Sequence, residues 1–127
     1  MELQPREIGE DEYLSQYVTR EAGQPRLRNR PRLRDIDGLS LTAGKLTPAE
    51  ARKPVRRGSP TEDDGVRHVR TGDLRAEGFI VENTPSRRNT EHVSIRYPRE
   101  WDDQVASTFN GCCSDPVWHQ EPGRRLR

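Results

Sequence analysis

Apolar residues are sparse along this chain and become periodic in only a few stretches. Between Gly65 and Pro98, GVRHVRTGDLRAEGFIVENTPSRRNTEHVSIRYP, short apolar runs alternate with turn and capping residues. Val66 and Val69 flank a brief strand. Asp73 places a carboxylate at the positive start of a short helix that runs to Glu77, and Gly78 ends it in a left-handed cap. Phe79-Ile80-Val81 reads as a second strand and Asn83 to Glu91 as a polar loop. His92 to Tyr97 follows as a third strand, with Val93, Ile95 and Tyr97 on one face. Farther on, Trp101, Val105 and Phe109 recur at i, i+4 and i+8, which predicts a helix over Arg99 to Phe109 that closes the core.

Upstream, Tyr13, Leu14, Tyr17 and Val18 read as a strand from their aromatic and β-branched content. Ile36, Leu39 and Leu41 alternate around a turn at Asp37-Gly38. In LTPAEARK, Thr47 stands as N-cap, Pro48 at the first helical position and Glu50 at the third, a capping box that starts a helix stopped by Pro54. The predicted fold is α+β: a small sheet of about four short strands with two or three short helices, forming one domain over residues 13–109. Residues 1–12 read as a disordered acidic tail. Residues 110–127 read as an irregular tail in which Trp118 is loosely packed or exposed.

Composition allows only one small core. The 127 residues are 29% hydrophobic and 34% charged, with mean hydropathy −1.10, against roughly 45% and about 25% in ordinary globular chains. Net charge is +1, so a general affinity for nucleic acid driven by counterion release is not supported. The kind of cation is one-sided, however: only Lys45 and Lys53 are lysines, and the rest are arginine. A GC-rich genome accounts for such a bias, as does recognition of phosphate or carboxylate by guanidinium forks.

The arginines concentrate in QPRLRNRPRLR, residues 24–34. In an extended chain the period of two puts Arg26, Arg28, Arg30, Arg32 and Arg34 on one face, with Leu27, Asn29, Pro31 and Leu33 on the other. That face suits a phosphate backbone or an acidic partner. It also suits a solvated linker, since Pro25 and Pro31 block helix formation and no aromatic residues are interleaved for base stacking.

Four short motifs follow in order: Gly38-Leu39-Ser40, Thr47-Pro48-Ala49-Glu50-Ala51, Asp73-Leu74-Arg75-Ala76-Glu77-Gly78-Phe79, and Asn89-Thr90-Glu91-His92. In this order the stretch Ile36 to Trp101 resembles a group of small bacterial proteins common in GC-rich genomes. The resemblance implies a shared fold unit and a bacterial origin, and it brings no established activity.

For chemistry, His92 is the candidate acid, base or anion contact, grouped with Arg87, Arg88 and Asn89. Ser40 and Tyr13 or Tyr17 would join it if the fold brought them near. There is no P-loop, G-x-G-x-x-G, H-E-x-x-H or G-x-S-x-G, so neither a cofactor nor a metal is expected. Cys112 and Cys113 are adjacent and have no second pair, which argues for free thiols rather than a zinc site or a stapled extracellular scaffold. The N-terminus lacks a basic segment leading into an apolar one, and no apolar run approaches a bilayer span. A cytoplasmic location is the expectation. The sequence favours an accessory or protein-interaction domain, with a protein partner encoded nearby, over an enzyme. One alternative is a toxin-like enzyme of the ADP-ribosyl transferase or nuclease class centred on His92. The other is nucleic-acid binding through Arg26 to Arg34.

Overall fold

A computed structural model describes residues 3–33, 35 and 38–120. The expectations placed on Arg34, Ile36, Asp37 and residues 121–127 lie outside the described residues. The elements in chain order are β1 (Tyr13–Glu21), β2 (Gln24–Arg26), β3 (Leu39–Ala43), α1 (Pro48–Arg52) and β4 (Asp64–Arg70). Then come α2 (Thr71–Ala76), β5 (Ile80–Asn83), β6 (His92–Arg96), α3 (Asp103–Cys112) and β7 (Val117–Trp118). The strands form one open antiparallel sheet in the order β5-β6-β3-β1-β4-β7, with β2 also paired to β1.

The α and β mixture agrees with the sequence, but a sheet of about four strands is too small: there are seven among the described residues. β2 is exposed at all three positions and contains Pro25, and β7 has two residues. Neither carries the apolar alternation by which a strand is recognised. β2 exists because Ala22 and Gly23, at φ 52° and 77°, make a two-residue reversal after β1. Positive φ at both central positions gives the turn the twist that antiparallel strands need.

The alternation of β1 sets the two faces. Leu14, Gln16 and Val18 pair laterally with Val69, Arg67 and Gly65 of β4, while Ser15, Tyr17 and Thr19 pair with His68, Val66 and Asp64. The first face continues through Leu39, Leu41 and Ala43 of β3, Val93 and Ile95 of β6, and Val81 of β5. Leu74 of α2, Val105 and Phe109 of α3, and Phe79 cover it. Phe109 is fully buried, its ring centroid 5.9 Å from that of Phe79 and 5.8 Å from Trp101. Truncating such a ring to alanine costs about 3–5 kcal/mol. On the second face α1 lies against β1 and β4 with Ala51 buried, and the β3-β6-β5 part presents Ser40, Thr42, His92 and Ser94.

Helix starts follow local chemistry. At α1, Glu50 N donates to Thr47 Oγ1 (3.2 Å) and Thr47 N to Glu50 Oε1 (2.9 Å), the reciprocal box predicted from sequence. α3 begins at Asp103 rather than Arg99, because Asp102 caps it by accepting from Val105 N at 3.0 Å. Trp101 therefore precedes the helix and reaches the core from the loop. Phe79 likewise precedes β5, packing on Tyr97 with centroids 5.0 Å apart.

Both ends of the described chain touch the domain. Ile8 is 4% exposed within the core, and Arg6 bridges Glu12 and Glu91 at 2.8 and 3.0 Å. β7 pairs with β4 and lays the Trp118 ring over Gly65, where a Cβ would come within 2.6 Å of the indole. Arg20 caps the same ring at 4.5 Å from its centroid. No helix among the described residues is long and apolar enough to cross a membrane.

Candidate functional site

Two polar regions of the sheet contain the residues singled out from sequence. The first is the β5-β6 hairpin. Asn83, at the end of β5 and 5% exposed, sends Nδ2 to the carbonyls of His92 (2.9 Å) and Thr90 (3.2 Å). Ser86 and Asn89 exchange backbone bonds of 3.0 and 3.2 Å, so Arg87 and Arg88 stand exposed at the tip. His92 Nδ1 lies 2.8 Å from Thr84 Oγ1, which is 2.7 Å from Ser94 Oγ. Asn89 Nδ2 donates to Thr42 Oγ1 at 2.9 Å.

This chain of hydroxyls contains no carboxylate. Glu91 beside it is engaged by Arg6, and Ser94, at the far end of the hydroxyl chain from His92, is 2% exposed. Of the residues expected to join His92, Ser40 shares its part of the sheet and the two tyrosines are engaged elsewhere. Ser40 faces Ser94 across β3-β6, Tyr13 lies under Lys45 on β1, and Tyr17 is bonded to Asp64. His68 on β4 has Nε2 2.8 Å from Leu46 O.

The second region is the arginine-rich segment after β2. Residues 27–32 are not a strand, and they are pinned beneath β1 by bonds to their backbone. Gln16 Nε2 donates to Arg28 O at 2.7 Å, Arg67 Nη2 to the same oxygen at 3.0 Å, and Trp101 Nε1 to Asn29 O at 2.8 Å. The segment thus borders a groove of about 1100 Å³ whose lining includes Arg26, Arg28, Arg30 and Arg32, with Tyr17, Thr19, Ser40 and Val55 from the sheet and the end of α1. Arg26 pairs with Glu21 at 2.5 Å and Arg30 with Asp103 at 2.6 Å. The guanidinium groups of Arg28 and Arg32 have no acidic partner among the described residues. Asp35 is the one described carboxylate in the lining, and its Oδ2 accepts from the Arg32 backbone N at 2.7 Å.

Arg67 holds the groove in place and was not singled out from sequence. It is 2% exposed, and its fork donates to Gln16 Oε1 (2.6 Å), Asn110 Oδ1 (2.9 Å) and Arg28 O. All three acceptors are neutral. Burial accordingly pulls its pKa down from the usual arginine value, although a guanidinium stays charged at any physiological pH. A sequence signal for it did exist: Gln16 falls in phase with Leu14 and Val18, and Arg67 in phase with Val69. Two polar residues in the buried phase of neighbouring strands mark a bonded pair once β1 and β4 are aligned.

A second buried charge lies behind Tyr17, outside the lining of the groove. Asp64, 2% exposed, accepts from the Tyr17 hydroxyl and from Thr61 N at 2.8 Å, and lies 2.9 Å from Arg52 Nε. The Arg52 N–H is not aligned with that carboxylate, so the contact is an ion pair without a hydrogen bond. Burial pushes the Asp64 carboxyl up, but the bonds from Tyr17 and Thr61 and the charges of Arg52 and Arg56 outweigh it and hold the carboxyl below its usual range. Burial and the Asp64 bond together raise the Tyr17 phenol, which stays a proton donor.

Cys112 and Cys113 are free thiols, and burial pushes Cys113 up to about 11. No group of three or more His, Cys, Asp or Glu among the described residues is placed to hold a metal ion. No protein-family model, no curated protein and no solved structure matches the chain.

Proposed function

We propose that this is a protein-interaction domain that holds an acidic partner in the groove bordered by residues 26–32. The observation that carries this reading is the charge imbalance there: four arginines of one segment line one groove, and two of them have no acid among the described residues. Guanidinium groups carried on a pinned backbone meet carboxylates without the cost of ordering the backbone. An acidic protein segment suits the lining better than a nucleic acid does. Leu27 and Val55, 39% and 56% exposed, are in the lining, and Tyr17, the groove's aromatic side chain, has its hydroxyl committed to Asp64. Apolar side chains beside cations fit a polypeptide, whereas stacking of bases calls for free aromatic faces. The enzyme alternative has less support, because the described partners of the His92 ring are a threonine hydroxyl and a carbonyl, and the neighbouring Glu91 is paired with Arg6.

Fluorescence anisotropy with labelled decaglutamate tests this reading. The wild-type chain is expected to bind it, with affinity falling as salt rises from about 50 to about 200 mM. The Arg28→Glu/Arg32→Glu chain is expected to bind at least about tenfold more weakly. Equal binding by both chains would overturn the assignment, and a preference for an oligothymidylate of equal charge would transfer the groove to nucleic acid.

A further inference from the structure

We infer that the acidic partner enters the groove as an extended strand set between β1 and β3; the inference rests on the binding reading above. β1 pairs with β3 only through Leu14↔Ala43 and Ser15↔Thr42, and pairs with β2 only from Thr19 onward. Continuing the first register would set Tyr17 against Ser40. That pair is not formed, and both residues line the groove instead.

The phase of the hydrogen bonds shows what the split offers. Gly44 N donates to Tyr13 O at 2.7 Å, so odd residues of β1 and even residues of β3 turn their peptide groups toward each other. The outer bonds agree. Arg20 N donates to Asp63 O at 3.1 Å, which turns the even residues of β1 to β4, and Ala43 N donates to Glu91 O at 2.8 Å, which turns the odd residues of β3 to β6. Tyr17 and Ser40 therefore direct N–H and C=O into the split from opposite sides, where neither has a backbone partner among the described residues. A strand placed there gains main-chain bonds to Tyr17 on one edge and to Ser40 on the other, the energetic basis of strand addition.

Side-chain chemistry then fixes the pattern of the occupant. The segment carrying Arg28 to Arg32 is tied to Gln16 and Arg67, which belong to the core face, so it floors the split on that side. Val55 and the Tyr17 side chain lie on the other side. Successive residues of an inserted strand point alternately to the two sides, which calls for carboxylates at every second position and apolar side chains between them.

The test uses a labelled octapeptide of alternating Glu and Val and two N-methylated versions, one methylated at every Glu and one at every Val. Each methylated set removes the donors of one strand edge. The unmodified peptide is expected to bind at least about tenfold more tightly than either methylated one, and to slow hydrogen exchange at the amides of Tyr17 and Ser40. Affinities within about twofold, or protection that avoids both amides, would overturn the strand inference. Decaglutamate binding would then stand as evidence for a groove read by charge alone, while failure of decaglutamate as well would remove the binding reading itself.

Discussion

The β5-β6 hairpin and the split between β1 and β3 are both polar, arginine-bearing regions, yet their polar groups end differently. At the hairpin, Asn83, Thr84, Asn89, His92 and Ser94 bond largely to one another and to the backbone, and the arginines stand clear at the tip. At the split, Arg67 is buried to hold the floor and Asp64 to hold Tyr17, while the guanidinium groups of Arg28 and Arg32 border the groove with no acidic partner among the described residues. A network that answers its own donors and acceptors stabilises a fold and leaves little for a ligand. A charge imbalance on a rigid frame costs stability and is relieved by binding.

Mutations that remove the buried charges should separate the two regions most strongly. Asp64→Ala leaves Arg52 without its counter-charge and Tyr17 without its acceptor, and denaturant unfolding at neutral pH should show a loss of about 3–5 kcal/mol. Because the native carboxyl is held low, its contribution is present above the unfolded pKa of about 3.9 and is lost as pH falls through the native value. The gap between wild type and Asp64→Ala should therefore narrow in acid. Arg67→Met leaves Gln16 and Asn110 without a donor and frees Arg28 O from one of its two bonds, with an expected loss of about 2–3 kcal/mol. At the hairpin the expected effect is smaller. His92→Ala keeps the Thr84–Ser94 bond and should cost about 1 kcal/mol by the same measurement, with decaglutamate binding unchanged; a loss of binding there would erase the distinction between the regions.

Much of the frame was legible in the sequence, and physical reasons account for the remainder. The capping box at Thr47 to Glu50 and the strand at His92 were read from local chemistry, because their determinants lie within a few residues. The extension of β1 to Glu21, the presence of β2 and β7, and the late start of α3 depend on partners far along the chain or on a competing cap at Asp102. The arginine segment, in which the strand covers only Gln24–Arg26, was readable as basic. Its attachment was not, since the bonds come from Gln16, Arg67 and Trp101, distant residues whose role appears only when β1, β4 and α3 are assembled. His92 drew attention because histidine is versatile, whereas its bonding to Thr84 depends on the closure of the hairpin.

Two charge reversals bear most directly on the contrast. Arg28→Glu/Arg32→Glu and Arg87→Glu/Arg88→Glu change net charge equally, at exposed or partly exposed positions, and each is expected to alter stability by no more than about 0.5 kcal/mol. Decaglutamate titrations of the two variants at equal ionic strength form the deciding measurement. The reversal at the groove should weaken binding at least about tenfold while the reversal at the hairpin tip changes it less than about twofold. Equal losses in the two variants would show that binding follows net charge alone and would contradict the assignment of the groove as the site.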